Sequence, residues 1–143
     1  HIFQHRPIKW LLEKDAVVIC AGGGGIPVMY APDQERTLVG VEAVIDKDRA
    51  TELLAEEIEA DMFIMATDVD GVYLDWGTPN ARKIERITPD DLAAHEFAAG
   101  SMGPKVEAAS TFVRNTGRIA AIGRLEDIEA MAALEAGTIV APA

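Results

Sequence analysis

Residues 17–28 read VVICAGGGGIPV. An apolar run, Ala16 to Cys20, passes into Gly22, Gly23, Gly24 and Gly25 and stops at Pro27. The run is β-branched at its centre and reads as a buried strand. Directly after it the chain gives up all side chains. Glycine adopts positive φ freely and lets backbone N–H groups approach an anion closely. Each glycine also costs roughly 0.5–1 kcal/mol against alanine in a regular element. A tight packing turn is the competing reading. The loop is not the dinucleotide fingerprint, because counting from Gly22 or Gly23 the sixth place falls on Pro27 or Val28. It is not a P-loop either, since no Gly-Lys-Ser/Thr follows.

Outward from this stretch, short apolar strands alternate with amphipathic helices. Pro7–Lys14 carries Ile8, Leu11 and Leu12 at helical spacing. Val28–Ala31 and Thr37–Val41 read as a hairpin around Pro32-Asp33-Gln34-Glu35. Asp46-Lys47-Asp48 opens a helix striped by Ala50, Leu53, Leu54 and Ile58. Met62–Ala66 is a strand, Val69-Asp70-Gly71 a turn, and Thr88-Pro89 a capped helix start. Pro104–Asn115 is a helix closed by Gly117, followed by a strand at Ile119–Ile122. Glu126–Ala136 reads as a helix capped by Gly137, and Thr138–Val140 as the last strand. The alternation predicts an α/β fold with a parallel sheet and helices on both faces. Ligands of such sheets bind in loops at the carboxyl ends of strands.

The bulk properties bound the function. The chain has 143 residues, 49% of them hydrophobic, enough for one packed domain. The net charge of −11 argues against a nucleic-acid partner and against an anionic membrane surface. An anionic ligand would have to be held by local lysines and backbone N–H groups against that field. The longest apolar run is too short for a membrane span, which takes ~20 residues. The one cysteine, Cys20, leaves no intrachain disulfide and no cysteine metal site, and the expectation is a cytoplasmic protein. The chain begins at His1 with a helix close behind, so a longer N-terminal part is expected before it.

Besides the glycines, three loops carry candidate chemistry. In Asp46-Lys47-Asp48 a lysine stands between two acids at a helix start. It reads either as capping acids with a solvated lysine, or as a lysine aimed at a phosphoryl group and an acid that holds it. Gly100-Ser101-Met102-Gly103-Pro104-Lys105 runs into a proline-started helix, where free N–H groups and the positive dipole end favour anions. Thr67-Asp68-Val69-Asp70-Gly71-Val72-Tyr73 follows a strand and lacks the third acid and closing glutamate of a calcium loop. His5 and His95 are isolated in the sequence and read as surface or capping residues; Trp10 and Trp76 read as packing residues.

Taken in order, CAGGGGIPV (20–28), EAVIDKD (42–48), TDVDGVY (67–73) and FAAGSMGPKVEAA (97–109) resemble the C-terminal half of the carbamate kinases, within the amino acid kinase family. The resemblance runs from about Trp10 to Val140. TDVDGVY alone would say only amino acid kinase; the other stretches narrow it. It implies a three-layer αβα sandwich with a mainly parallel sheet, and the reaction ATP + carbamate ⇌ ADP + carbamoyl phosphate with Mg2+, in a homodimer that usually works toward ATP in arginine catabolism. It implies that Lys47 contacts the transferring phosphoryl group, that Asp48 orients the lysines, and that Lys105 reaches the nucleotide phosphates. It places Gly22, Gly23, Gly24 and Gly25 beside the phosphate and carbamate, with Thr67, Asp68, Asp70, Gly71, Val72, Tyr73, Ser101, Met102 and Gly103 around the nucleotide. No residue is assigned to a protein-held metal. The family's N-terminal half, with its first phosphate loop and most of the carbamate pocket, has no counterpart here, so the chain alone is expected to bind nucleotide and turn over little. Another amino acid kinase acting on an amino acid or a nucleotide, and a non-catalytic nucleotide-binding or assembly module, remain as alternatives.

Overall fold

The computed structural model describes residues 1–32 and 36–143. A four-stranded sheet organises the second half of the chain, in the order β3 (Met62–Thr67), β7 (Ile119–Arg124), β8 (Thr138–Val140), β6 (Arg86–Ile87). β3 and β7 run parallel with Met62 opposite Ile119, and β6 and β8 run parallel with Arg86 opposite Ile139.

Period-two alternation sorts the strand residues onto two faces. Phe63, Met65, Ala120, Ile122 and Val140 face one way, into a core with Ala55 of α2 (Lys47–Glu57), Leu92 of α3 (Pro89–Ala93) and Val106, Ala109, Phe112 and Val113 of α4 (Met102–Thr116). Met62, Ile64, Ala121 and Ile139 face the other way, against Met131 of α5 (Ile128–Ala132). Helices on each face of a sheet make the expected three layers. Two predicted caps hold: Thr88 accepts from the Asp91 N–H at the start of α3, and Gly117 takes the left-handed C-cap of α4 with φ 69°.

Two of the three strand pairs are parallel, so the sheet is mainly parallel as expected; the exception is β8, which lies antiparallel to β7 with Ile122 opposite Thr138. β7 is six residues long, about 20 Å at ~3.3 Å per residue. The connection contains a single 3-10 turn, Leu125–Asp127, and the five-residue α5, which rises only about 8 Å. It returns the chain at the end it left. Two expectations fail. First, the helix read over Glu126–Ala136 stops at Ala132, and Leu134 takes φ 63°. Secondly, Ala16–Cys20 forms no strand: Val17 and Ile19 are 95% and 98% exposed, and Cys20 is exposed too. Its β preference is a preference for a pleated, half-buried surface, and no described strand lies alongside to provide one.

The first part of the chain is otherwise α1 (His5–Leu12), which buries Ile8, and an antiparallel hairpin of β1 (Val28–Tyr30) and β2 (Leu38–Gly40). Most of the turn assigned to that hairpin lies outside the described residues. A second small ribbon pairs β4 (Tyr73–Leu74) with β5 (Arg82–Lys83).

Candidate phosphate-binding cleft

β3 ends at Thr67, and at its carboxyl end three loops converge. The chain after β3, the entry to α4 and the entry to α2 surround a cleft of about 650 Å3. Its walls include Lys47, Thr67, Asp68, Gly71, Tyr73, Ser101, Met102 and Lys105, so these sequence-predicted residues share one cavity.

The floor is ionic. Asp48 lies in the first turn of α2, buried. Lys105 Nζ donates to both its oxygens, at 3.2 and 3.0 Å, and Lys47 Nζ approaches Oδ2 at 3.4 Å. The two lysines are not equivalent. Lys105 has 12% of its side chain exposed and is gripped on both oxygens, whereas Lys47 is 61% exposed and held by one long contact. Lys105 is a firmly held charge, and Lys47 a loosely held, exposed one. Asp48 thus sits between two ammonium groups, and its desolvation is offset by charge-assisted hydrogen bonds.

Asp46 sets the start of α2. Its Oδ1 accepts from the N–H groups of Asp48 (2.9 Å) and Arg49 (3.0 Å). The Arg49 N–H above all, with the Asp48 N–H and the nearby Lys47 and Lys105 charges, holds its carboxyl below the ordinary aspartate range despite some desolvation. Asp46 is thus the capping acid of the first reading, and Asp48 the lysine holder of the second. Across the cleft, the Ser101 side chain makes no capping bond to the fifteen-residue α4, whose positive end borders the cavity.

Other predicted residues do structural work beside the cleft. Val72 is fully buried, and its N–H donates to Thr138 Oγ1 at 2.7 Å; that hydroxyl donates in turn to the Ile84 carbonyl at 2.5 Å. Gly71 admits no side chain, since a Cβ there would lie 2.7 Å from Lys83 Cε and 2.8 Å from Thr138 Oγ1. Asp70 accepts from the Tyr73 hydroxyl at 2.9 Å and pairs with Lys83 at 3.3 Å. The Tyr73 hydrogen bond, aided by Lys83, lowers the Asp70 carboxyl below its usual range, and the same bond raises the Tyr73 phenol. Gly103 turns its N–H back to the Ala98 carbonyl, at 2.9 Å.

The glycine loop stands apart. Gly22–Gly25 are not among the residues lining the cleft. The contact that ties the loop to it is Gly24, at φ 138°, whose position a Cβ could not share with the Ile45 carbonyl, next to the Asp46 cap. The other three glycines have open space where a side chain would be.

Sequence reasoning missed Trp76, Phe97 and Glu96 on the cleft wall. Trp76 and Trp10 are 66% and 64% exposed, not packed as expected. Trp76 meets Tyr73 edge-on, centroids 5.0 Å apart, and the signal was present as a Tyr-x-x-Trp pair in an otherwise polar turn.

The cleft presents two ammonium groups and a helix N-terminus. The class it defines is an α/β domain with a lysine-lined cleft at the carboxyl end of its sheet. The chain belongs to the amino acid kinase family, whose model matches residues 2–123. It is 61% identical over 139 residues to the carbamate kinase of Rhizobium meliloti (strain 1021), covering 97% of this chain and 43% of that protein. It is 54% identical to the carbamate kinase of Haemophilus influenzae, covering 96% and 44%. Among solved structures, carbamate kinase from Giardia lamblia bound to AMP-PNP superposes with a TM-score of 0.91 at 37% identity, over all of this chain and 50% of that one. UMP kinase from Bacillus anthracis, at 15% identity and TM-score 0.65, shares the fold alone. The chain spans less than half the length of these curated relatives.

Proposed function

We propose that this chain is the C-terminal, nucleotide-binding portion of a carbamate kinase, and that its cleft holds the phosphates of ATP or ADP while phosphoryl is exchanged with carbamate. The observation that carries the reading is the Lys47–Asp48–Lys105 cluster at the cleft floor. The identity to curated carbamate kinases and the AMP-PNP bound to the Giardia lamblia enzyme support it.

Phosphoryl transfer asks the protein for in-line positioning and for positive charge around the moving group. Lys105, fixed on Asp48, holds the nucleotide phosphates. Lys47, exposed at the rim, follows the transferring phosphoryl. Carbamate and nucleotide are both anions, and two mobile or fixed ammonium groups reduce their repulsion inside a chain of net charge −11. Mg2+ fits the cleft as a companion of the nucleotide, since it binds through phosphates and one or two carboxylates. Asp48 is taken up by the lysines and Asp70 by Tyr73 and Lys83, which leaves Asp68, Asp75 and Glu96 on the wall as hard oxygen donors. The metal supplies charge neutralisation on the phosphates. The carbamate pocket and the Gly22–Gly25 loop are completed by chain outside these residues.

Calorimetric titration of the chain with ADP and Mg2+, wild type against Lys105→Ala, tests the reading. A charged hydrogen bond of ~1.5–3 kcal/mol predicts a tenfold to hundredfold weaker ADP affinity in the variant. Equal affinities in two folded proteins would overturn the placement of the phosphates.

A further inference from the structure

His1, His5 and Glu57 meet at the far end of α2 from the cleft. Glu57 is ten positions along the helix from Lys47, about 15 Å at ~1.5 Å per residue. One ligand atom from each of the three lies within 4.8 Å of the others. The two imidazoles pack edge to face, centroids 4.9 Å apart. The sequence had left His5 isolated; the fold does not.

We propose that His1, His5 and Glu57 form a site for a divalent transition-metal ion, Zn2+ in the first instance, that clasps the start of α1 to the end of α2. Two imidazoles and one carboxylate suit zinc, and three protein ligands leave a fourth position for water.

The surrounding hydrogen bonds orient the ligands. Ile2 serves two of them. Its N–H donates to both oxygens of Glu57, at 3.2 and 3.0 Å, and fixes a carboxylate that is 17% exposed. Its carbonyl lies 2.9 Å from His5 Nδ1. A carbonyl only accepts, so Nδ1 carries the proton and Nε2 keeps its lone pair for a metal. This is the outer-shell device by which metal-binding histidines are held in one tautomer. His1 Nδ1 stands 2.8 Å from Glu57 Oε1, and its ring, 61% exposed, is free to turn. That freedom matters. Tetrahedral ligands at ~2.1 Å from zinc are roughly 3.4 Å apart, closer than the present spread, and the turning of His1 closes the difference. The net charge of −11 favours any cation at this surface.

The test is Zn2+ calorimetry, with Co2+ as the spectroscopic probe, on wild type, Glu57→Gln, His5→Ala and Lys105→Ala. A fifth protein carries extra residues before His1, so that the terminal amine cannot chelate with that ring. One Zn2+ per chain is expected, with the intense visible Co2+ absorption of a four-coordinate ion. Glu57→Gln and His5→Ala should each weaken binding at least ~10-fold, while Lys105→Ala and the extended chain bind as wild type. Unchanged affinity in Glu57→Gln, or loss of binding in the extended chain, would overturn the site. Glu57→Gln keeps the acceptor for the Ile2 N–H, so it decides the matter even if His5→Ala does not fold. The Lys105→Ala arm keeps this result independent of the nucleotide reading.

Discussion

Glu52 sits on the buried side of α2, 9% exposed, where a sequence reader sees one more acid in an acidic helix. Its neighbour one turn on is Glu56, whose Oε1 accepts from Asn115 Nδ2 at 2.6 Å. Desolvation first, then the hydrogen bond to Glu56 and the Glu56 charge, push the Glu52 carboxyl up to about 7, against a smaller pull from Arg49. The folded protein therefore holds this proton where the unfolded chain, at 4.5, has lost it. The stabilisation is complete below the unfolded value and is lost as pH rises through about 7. Denaturant unfolding at pH 5 and pH 8 should show wild type losing on the order of 2 kcal/mol more than Glu52→Gln, which mimics the protonated acid. Parallel pH profiles for the two proteins would place the shared proton elsewhere. Lys47, Asp48 and Lys105 were legible because their residue types and helix-start positions announce anion chemistry. Glu52 was not, because burial on a helix face packed by a later helix is a tertiary fact.

At the scale of elements, the long central ones were readable and the connections were not. Met62–Ala66 and Pro104–Asn115 carry strong periods and clear caps, and β3 and α4 follow them within two residues at each end. The β8 direction depends on how far a short connection can carry the chain, which periodicity does not encode. The loop after β3 shows the same limit. Its TDVDGVY signature reads as ligand contact throughout, yet Val72 is core and Gly71 is a close approach to Thr138. Thr138→Val keeps the shape and removes a hydroxyl that serves both the Val72 N–H and the Ile84 carbonyl. With two buried partners orphaned at ~1–3 kcal/mol each, thermal or denaturant unfolding should show a loss of about 2–6 kcal/mol, and a near-neutral result would mean that other groups satisfy both partners. The glycine loop divides likewise. Gly24→Val meets the Ile45 carbonyl from a positive φ and should destabilise the folded chain measurably, while Gly23→Val meets open space and should leave its unfolding midpoint nearly unchanged. If both variants lose stability alike, the loop is a packing turn along its whole length.

On the scale of the whole molecule, the apolar surface is unevenly distributed. Ile26 and Val44 join Val17 and Ile19 at 89% exposure or more, and Val28, Met29, Tyr30, Leu38, Val39 and Val41 of the hairpin region are exposed as well. The second half of the chain, by contrast, buries Phe112, Ile122, Val72 and Val140 completely. Scattered exposed apolar residues are ordinary, but a long run of them in one segment marks a surface made for burial. The Ala16–Cys20 run has the composition of a central strand, and among the described residues no strand pairs with it. This accords with a chain that spans under half the length of its curated relatives, and it explains why the strand reading failed while the fold reading held. Changing Val17 and Ile19 together to Thr removes methyls that touch solvent rather than core, so the unfolding free energy should shift by less than ~0.5 kcal/mol. Self-association should respond instead. Sedimentation of the chain across a range of concentrations should show wild type forming oligomers that the double variant loses. A wild-type chain that stays monomeric throughout, with no binding of a hydrophobic dye, would mean that the segment folds back onto the domain in solution and that its apolar side chains are covered from within.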